Sequence, residues 1–133
     1  MYGVKIEVMT QMKKMLIVDD SLFIRETIKR MIETAEVDIE IVAEATNGEE
    51  AVALYRAHRP DIVTMDITMP RKNGLDATKE ICTAFPNAKI IIITAVGQQK
   101  NVIAAIENGA VDFMKKPFTQ QRLIEMLQQH LEV

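Results

Sequence analysis

From Lys14 onward, short apolar runs of strand length alternate with longer segments whose apolar residues recur at helical spacing, and no other property of the chain narrows its fold as far. Such alternation builds repeated βα units around a parallel sheet, because a parallel connection must cross back over the sheet and a helix is its usual crossover. Five pairs are legible. Met15 to Val18 is the first run, after which Ser21 caps a helix carrying Leu22, Ile24, Ile28, Met31 and Ile32 as far as Ala35. Glu40 to Ala43 leads into Asn47-Gly48-Glu49-Glu50, where Asn47 and Glu50 have capping-box spacing, and the second helix stops before Pro60. Ile62 to Met65 is closed by Asp66; a loop with Pro70 and Gly74 precedes a helix through Ala77, Ile81 and Phe85 that ends at Pro86. Lys89 to Thr94 is the fourth run. Gly97 then opens the turn to a helix carrying Val102, Ile103 and Ile106, closed by Asn108-Gly109. Val111 to Met114 is the fifth, and Thr119 caps a last helix with Leu123, Met126, Leu127 and Leu131. Runs such as Ile90 to Ile93 are apolar without alternation, as strands covered by helices on both faces must be. The predicted class is α/β, a doubly wound five-stranded parallel sheet.

The 133 residues suit one domain, with 1–13 as an N-terminal tail, marked by a weak alternation at Val4, Ile6 and Val8, and 14–132 as the domain proper. A net charge of −3 argues against nucleic acid as a partner, since phosphate backbones are bound by clustered basic charge. The single cysteine, Cys82, reads as a small buried hydrophobe on a helix; it has no disulfide partner and no metal-ligand spacing, which suits a reducing compartment. No apolar run approaches the roughly 18 residues of a membrane span, and the opening residues lack the apolar centre of a signal peptide, so a cytoplasmic protein without membrane contact is expected.

Open parallel sheets bind ligands beyond the carboxyl ends of their strands. There the sequence places Asp19 and Asp20 after the first strand, Asp66 after the third, Thr94 at the end of the fourth, and Lys115, Lys116 and Pro117 after the fifth. Two carboxylates 5 Å apart repel by roughly 3 kcal/mol at an effective dielectric near 20, so three on one rim call for a cation. All the candidate ligands are hard oxygens, which selects Mg²⁺, Mn²⁺ or Ca²⁺ over zinc; Mg²⁺ is preferred because it habitually shares its shell with a phosphate. With Lys116 on a second phosphoryl oxygen and the Thr94 hydroxyl on a third, the rim suits phosphoryl transfer onto a carboxylate.

The motifs LIVDDS (16–21), DIVTMDITMP (61–70), NGLDA (73–77), IIITA (91–95) and GAVDFMKKPF (109–118) give residues 14–132 a close resemblance to the receiver domains of two-component response regulators, particularly the stand-alone receivers of chemotaxis. That resemblance implies a (βα)5 flavodoxin-like fold with strand order 2-1-3-4-5. Asp66 is then the phosphoacceptor for a partner histidine kinase, and Mg²⁺ is held by Asp20, Asp66 and the Thr68 backbone carbonyl, with Asp19 acting through water. Thr94, Ala95 and Lys116 bind the phosphoryl group, and the Lys116-Pro117 peptide is cis. Thr94 moves on phosphorylation and lets the Phe113 ring swing inward; Phe here replaces the tyrosine of the best-known chemotaxis members, so a hydroxyl contact with the target is lost. Thr68 and Val96 set the dephosphorylation rate. The implied output is docking of a target protein, such as the flagellar switch, on the face of helix four, strand five and helix five. A phosphatase is a further implied partner, and a monomer or weak dimer is expected.

Outside 14–132 nothing is left in this sequence to hold an output module, so the expectation is a single-domain regulator rather than an enzyme, one expected to catalyse only its own phosphoryl transfer and slow self-dephosphorylation. A phosphorelay intermediate, or a receiver of another two-component pathway excised from a larger transcriptional regulator, shares the same site. An aspartyl-phosphate phosphohydrolase is disfavoured because Asp66-Ile67-Thr68 has no second aspartate to serve as general acid. Arg25, Lys29 and Arg30 read as a solvated, ion-paired helix face with Glu26 and Glu33. His58 and His130 read as helix-end residues favoured by the dipole.

Overall fold

A computed structural model describes residues 12–131. Five strands, β1 (Lys13–Val18), β2 (Ile39–Ala45), β3 (Ile62–Asp66), β4 (Ile90–Thr94) and β5 (Asp112–Lys115), form one parallel sheet in the order β2-β1-β3-β4-β5. Between and after them run α1 (Leu22–Ala35), α2 (Gly48–His58), α3 (Gly74–Ala84), α4 (Gln99–Glu107) and α5 (Gln120–Leu131). The doubly wound α/β class and the strand order are those expected. The alternation at Val4, Ile6 and Val8 lies outside the described residues. β1 starts at Lys13, one residue before the expected domain boundary, because Lys13 pairs with Ile39 of β2 and donates its N–H to the Asp38 carbonyl.

Successive side chains of a strand point to opposite faces, so each central strand feeds two cores. Leu16, Val18, Val63, Met65, Ile90 and Ile92 pack with Val52, Tyr55, Ala77, Ile81 and Ala105 of α2, α3 and α4. Met15, Ile17, Ile62, Ile91, Ile93 and Met114 pack with Ile28, Ile32, Leu123, Met126 and Leu127 of α1 and α5. Both faces of β3 and β4 are buried throughout, which is why the runs at 62–65 and 90–93 show no polar alternation.

The caps behave as side-chain chemistry dictates. Ser21, Asn47 and Thr119 accept from the backbone N–H three residues on, at Ile24, Glu50 and Arg122. The reciprocal bond at α2 differs from a capping box by one residue: Glu50 accepts from the Thr46 N–H and hydroxyl, both at 2.7 Å, not from Asn47. Gly109 takes φ +113° after α4, and a Cβ there would lie 2.7 Å from Cys82 Cβ, so the residue serves both the turn and the close approach to α3.

Ile103 and Ile106 are 66% and 46% exposed, because Ala105 is the residue of α4 buried against the sheet. One strand boundary is corrected. β5 runs from Asp112 to Lys115, one residue later than the apolar pattern suggests, leaving Val111 exposed at its start.

Candidate functional site

The strand register assembles the site. Val18 of β1 pairs with Met65 of β3, so the next residues, Asp19 and Asp66, emerge side by side. Asp66 itself pairs with Ile93 of β4, and Thr94 pairs with Lys115 of β5, so Thr94 emerges one step and Lys116 two steps further along the same rim. The Lys116 N–H donates to the Thr94 carbonyl at 2.7 Å, and the Lys116-Pro117 peptide is cis. The chain passes from β2 over β1 to β3 at this point, which opens the crevice that open α/β sheets use for ligands.

Asp19, Asp66 and Thr94 are buried, and Asp20 is exposed beside them. Carboxylate oxygens of Asp19, Asp20 and Asp66 lie within 4.8 Å of one another. Lys116 Nζ donates to Asp19 Oδ2 at 3.2 Å and to Asp66 Oδ1 at 3.4 Å, bridging the two buried carboxylates. Burial and the neighbouring Asp19 charge push the Asp66 carboxyl above the ordinary range, against the pull of Lys116. Burial weakens the Lys116 ammonium, but Asp66 and Asp19 outweigh it and hold its pKa above the usual lysine value. The donor set is all hard oxygen, without His or Cys, and is suited to a divalent cation that relieves the crowding.

Asp19 is held in turn. Its Oδ1 accepts from the Ser21 N–H at 2.9 Å, and its carbonyl accepts from Arg25 Nη1 at 2.8 Å. Arg25 also donates to Glu44 of β2 at 3.0 Å, where Lys29 joins at 2.9 Å. The expectation of a solvated helix-one face is therefore corrected at Arg25, whose side chain is 12% exposed and anchored to the site. Nothing local could signal it, because the ion partner Glu44 stands on β2, beyond the end of the helix. His130 sits at the end of α5 and also contacts Asp112 of β5 at 2.8 Å, a partner beyond the helix dipole.

The remaining candidates fall on the loops around the rim. Thr68 and Ala95 are exposed, and Val96 is 91% exposed. A pocket of about 320 Å³ is lined by Thr94 and Phe113 together with Val96, Gln99, Val102 and Lys116, so there is room beside the half-buried ring. One residue absent from the sequence expectation joins them: Gln98 accepts from the Ala95 N–H at 2.7 Å and donates to the Thr68 hydroxyl at 2.9 Å. Its signal in the sequence was a polar residue between Gly97 and the helix that follows.

Residues 15–128 match the family described as response regulator receiver domain. The chain is 55% identical over 115 residues to the chemotaxis protein CheY of Thermotoga maritima, covering 86% of this chain and 94% of that one. It is 50% identical over 117 residues to the chemotaxis protein CheY of Listeria monocytogenes, covering 88% and 97%. Among solved structures it resembles a chain of the CheX-CheY-BeF3-Mg²⁺ complex of Borrelia burgdorferi, with TM-score 0.82, 33% identity and coverage of 88% and 87%.

Proposed function

The chain belongs to the response regulator receiver family as a CheY-like receiver of the chemotaxis type, and from that premise we propose that it is a phosphorylation-driven binding switch with Asp66 as acceptor and a partner histidine kinase as donor. The observation that carries this reading is the Asp66 carboxylate at the mouth of the crevice, flanked by Asp19 and bridged by Lys116 Nζ. An ionised Asp66 oxygen attacks phosphorus, the P–N bond to the donor imidazole breaks, and its electron pair stays on the departing ring. Lys116 lies where it neutralises both the attacking carboxylate and the oxygens of the arriving group. Asp20, Asp66 and the Thr68 carbonyl would hold Mg²⁺, with Asp19 through water, and the ion when bound supplies further neutralisation of phosphoryl charge.

Transfer to a binding output follows from the layout. Thr94 on β4 and Phe113 on β5 face one pocket, so a Thr94 hydroxyl drawn toward the phosphoryl group vacates space for the Phe113 ring. Ile103 and Ile106 of α4 and Val111 just before β5 stand in solvent, apolar area suited to a protein target such as the flagellar switch. Among the described residues no helix is long and apolar enough to cross a membrane.

Intact mass after incubation with Mg²⁺ and acetyl phosphate tests the reading. Wild type is expected to gain one base-labile phosphoryl group per chain and Asp66→Asn none; an equal adduct on both proteins overturns it. A second expectation concerns Val96, whose exposed apolar side chain offers attacking water no hydrogen-bond partner. Val96→Glu is expected to shorten the acyl-phosphate lifetime by about three- to tenfold, the worth of one positioning hydrogen bond; identical decay in both proteins contradicts it.

A further inference from the structure

Gln98 is the N-cap residue of α4, yet its side chain caps nothing in that helix. Instead it ties two loops together across the mouth of the crevice. Oε1 accepts from the Ala95 N–H at 2.7 Å, and Nε2 donates to the Thr68 hydroxyl at 2.9 Å. Thr68 stands two residues beyond Asp66, and Ala95 two residues beyond Ile93, the register partner of Asp66. The carboxamide therefore ties the loop that follows the acceptor's own strand to the loop that follows its β4 neighbour.

We propose that the Gln98 carboxamide is a positioning latch: it occupies the Ala95 N–H in the unphosphorylated chain and has to be displaced before a phosphoryl oxygen on Asp66 receives that donor. The inference rests on the reading of Asp66 as acceptor. A backbone N–H carries one hydrogen, and a bond of 2.7 Å engages it fully. A phosphoryl oxygen is charged and accepts more strongly than a carboxamide oxygen, so the exchange runs toward the phosphorylated state. Releasing Gln98 frees Thr68 and loosens the loop that begins at Thr94, the residue that has to move. The latch thus opposes phosphorylation and ties acceptor occupancy to the position of that loop, as a contact present in one state only must.

Beryllium fluoride with Mg²⁺, titrated calorimetrically into the full chain, tests the latch. Gln98→Ala is expected to bind the mimic about three- to tenfold more tightly than wild type, because one competing hydrogen bond is gone. Gln98→Glu keeps an acceptor for Ala95 and adds negative charge, so it is expected to bind less tightly than Gln98→Ala. Gln129→Ala, on an exposed glutamine of α5, is expected to match wild type. A merely structural role for Gln98 predicts equal or weaker binding in Gln98→Ala, and that result overturns the latch. Amide hydrogen exchange of Ala95 in the free chain gives a second readout, expected to quicken about tenfold in Gln98→Ala; an unchanged rate also overturns it. Should wild type take up no beryllium fluoride, the reading of Asp66 fails, while the exchange rate still decides whether the latch exists.

Discussion

Gly74→Ala is expected to destabilise the chain by about 3 kcal/mol, at the upper end of overpacking costs, and to slow phosphoryl acceptance by about a hundredfold, the loss typical of a misplacement near 1 Å. A Cβ on Gly74 would sit 2.0 Å from the Asp66 carbonyl oxygen, 2.9 Å from its carbon and 3.0 Å from Ile67 Cα. All three are backbone atoms, so no side-chain rotation relieves the clash. The Gly74 N–H donates to the Ile67 carbonyl at 2.8 Å, which fixes the start of α3 against the end of β3. Inserting a methyl group there drives the two apart and moves Asp66 relative to Asp19 and Lys116. Thermal denaturation and the acetyl phosphate mass assay check the two effects separately. A Gly74→Ala chain with wild-type stability would show that α3 yields freely, and one phosphorylated at the wild-type rate would show that Asp66 does not follow it.

The same contact illustrates what the sequence discloses and what it hides. The strands were legible because burial on both faces leaves an unbroken apolar run, as at 90–93, and the rim was legible because parallel topology converts strand ends into neighbours. Asp19, Asp66, Thr94 and Lys116 therefore emerge from strand order alone once the register is granted. Local pattern fails where a partner is distant. Arg25 has the spacing of a solvated helix residue, yet its partners are Glu44 and the Asp19 carbonyl. Gln98 reaches Thr68, thirty positions away in sequence. Periodicity also overstates burial on α4, where Ile103 and Ile106 repeat at helical spacing but the small Ala105 is what meets the sheet. An apolar stripe on such a helix signals a surface kept for another protein as readily as a core.

Lys116→Met is expected to cost about 2 to 3 kcal/mol in the absence of divalent metal, because removing one member of a buried ion group strands the charges that remain. The figure lies at or below the lower edge of the usual range for buried pairs, since the Lys116 side chain is 22% exposed while those of Asp19 and Asp66 are only 3% and 10% exposed. Melting is expected to fall by roughly 6 to 12 °C. The pH dependence fixes the cause. Asp66 has its folded pKa raised, first by burial and then by the Asp19 charge. A raised carboxyl favours the folded state below its unfolded pKa, and that contribution is lost as pH rises through the folded value. Loss of Lys116 removes the opposing pull and raises the carboxyl further, so the variant is expected to lose more stability than wild type as pH climbs from acid toward neutral. Mg²⁺ then separates electrostatics from packing. If the deficit is carboxylate repulsion, saturating Mg²⁺ raises the melting temperature of Lys116→Met by more than that of wild type, since the ion replaces part of the missing charge. A deficit that is independent of both pH and Mg²⁺ would instead assign it to the lost aliphatic stem, and the lysine's electrostatic role at the rim would have to be abandoned.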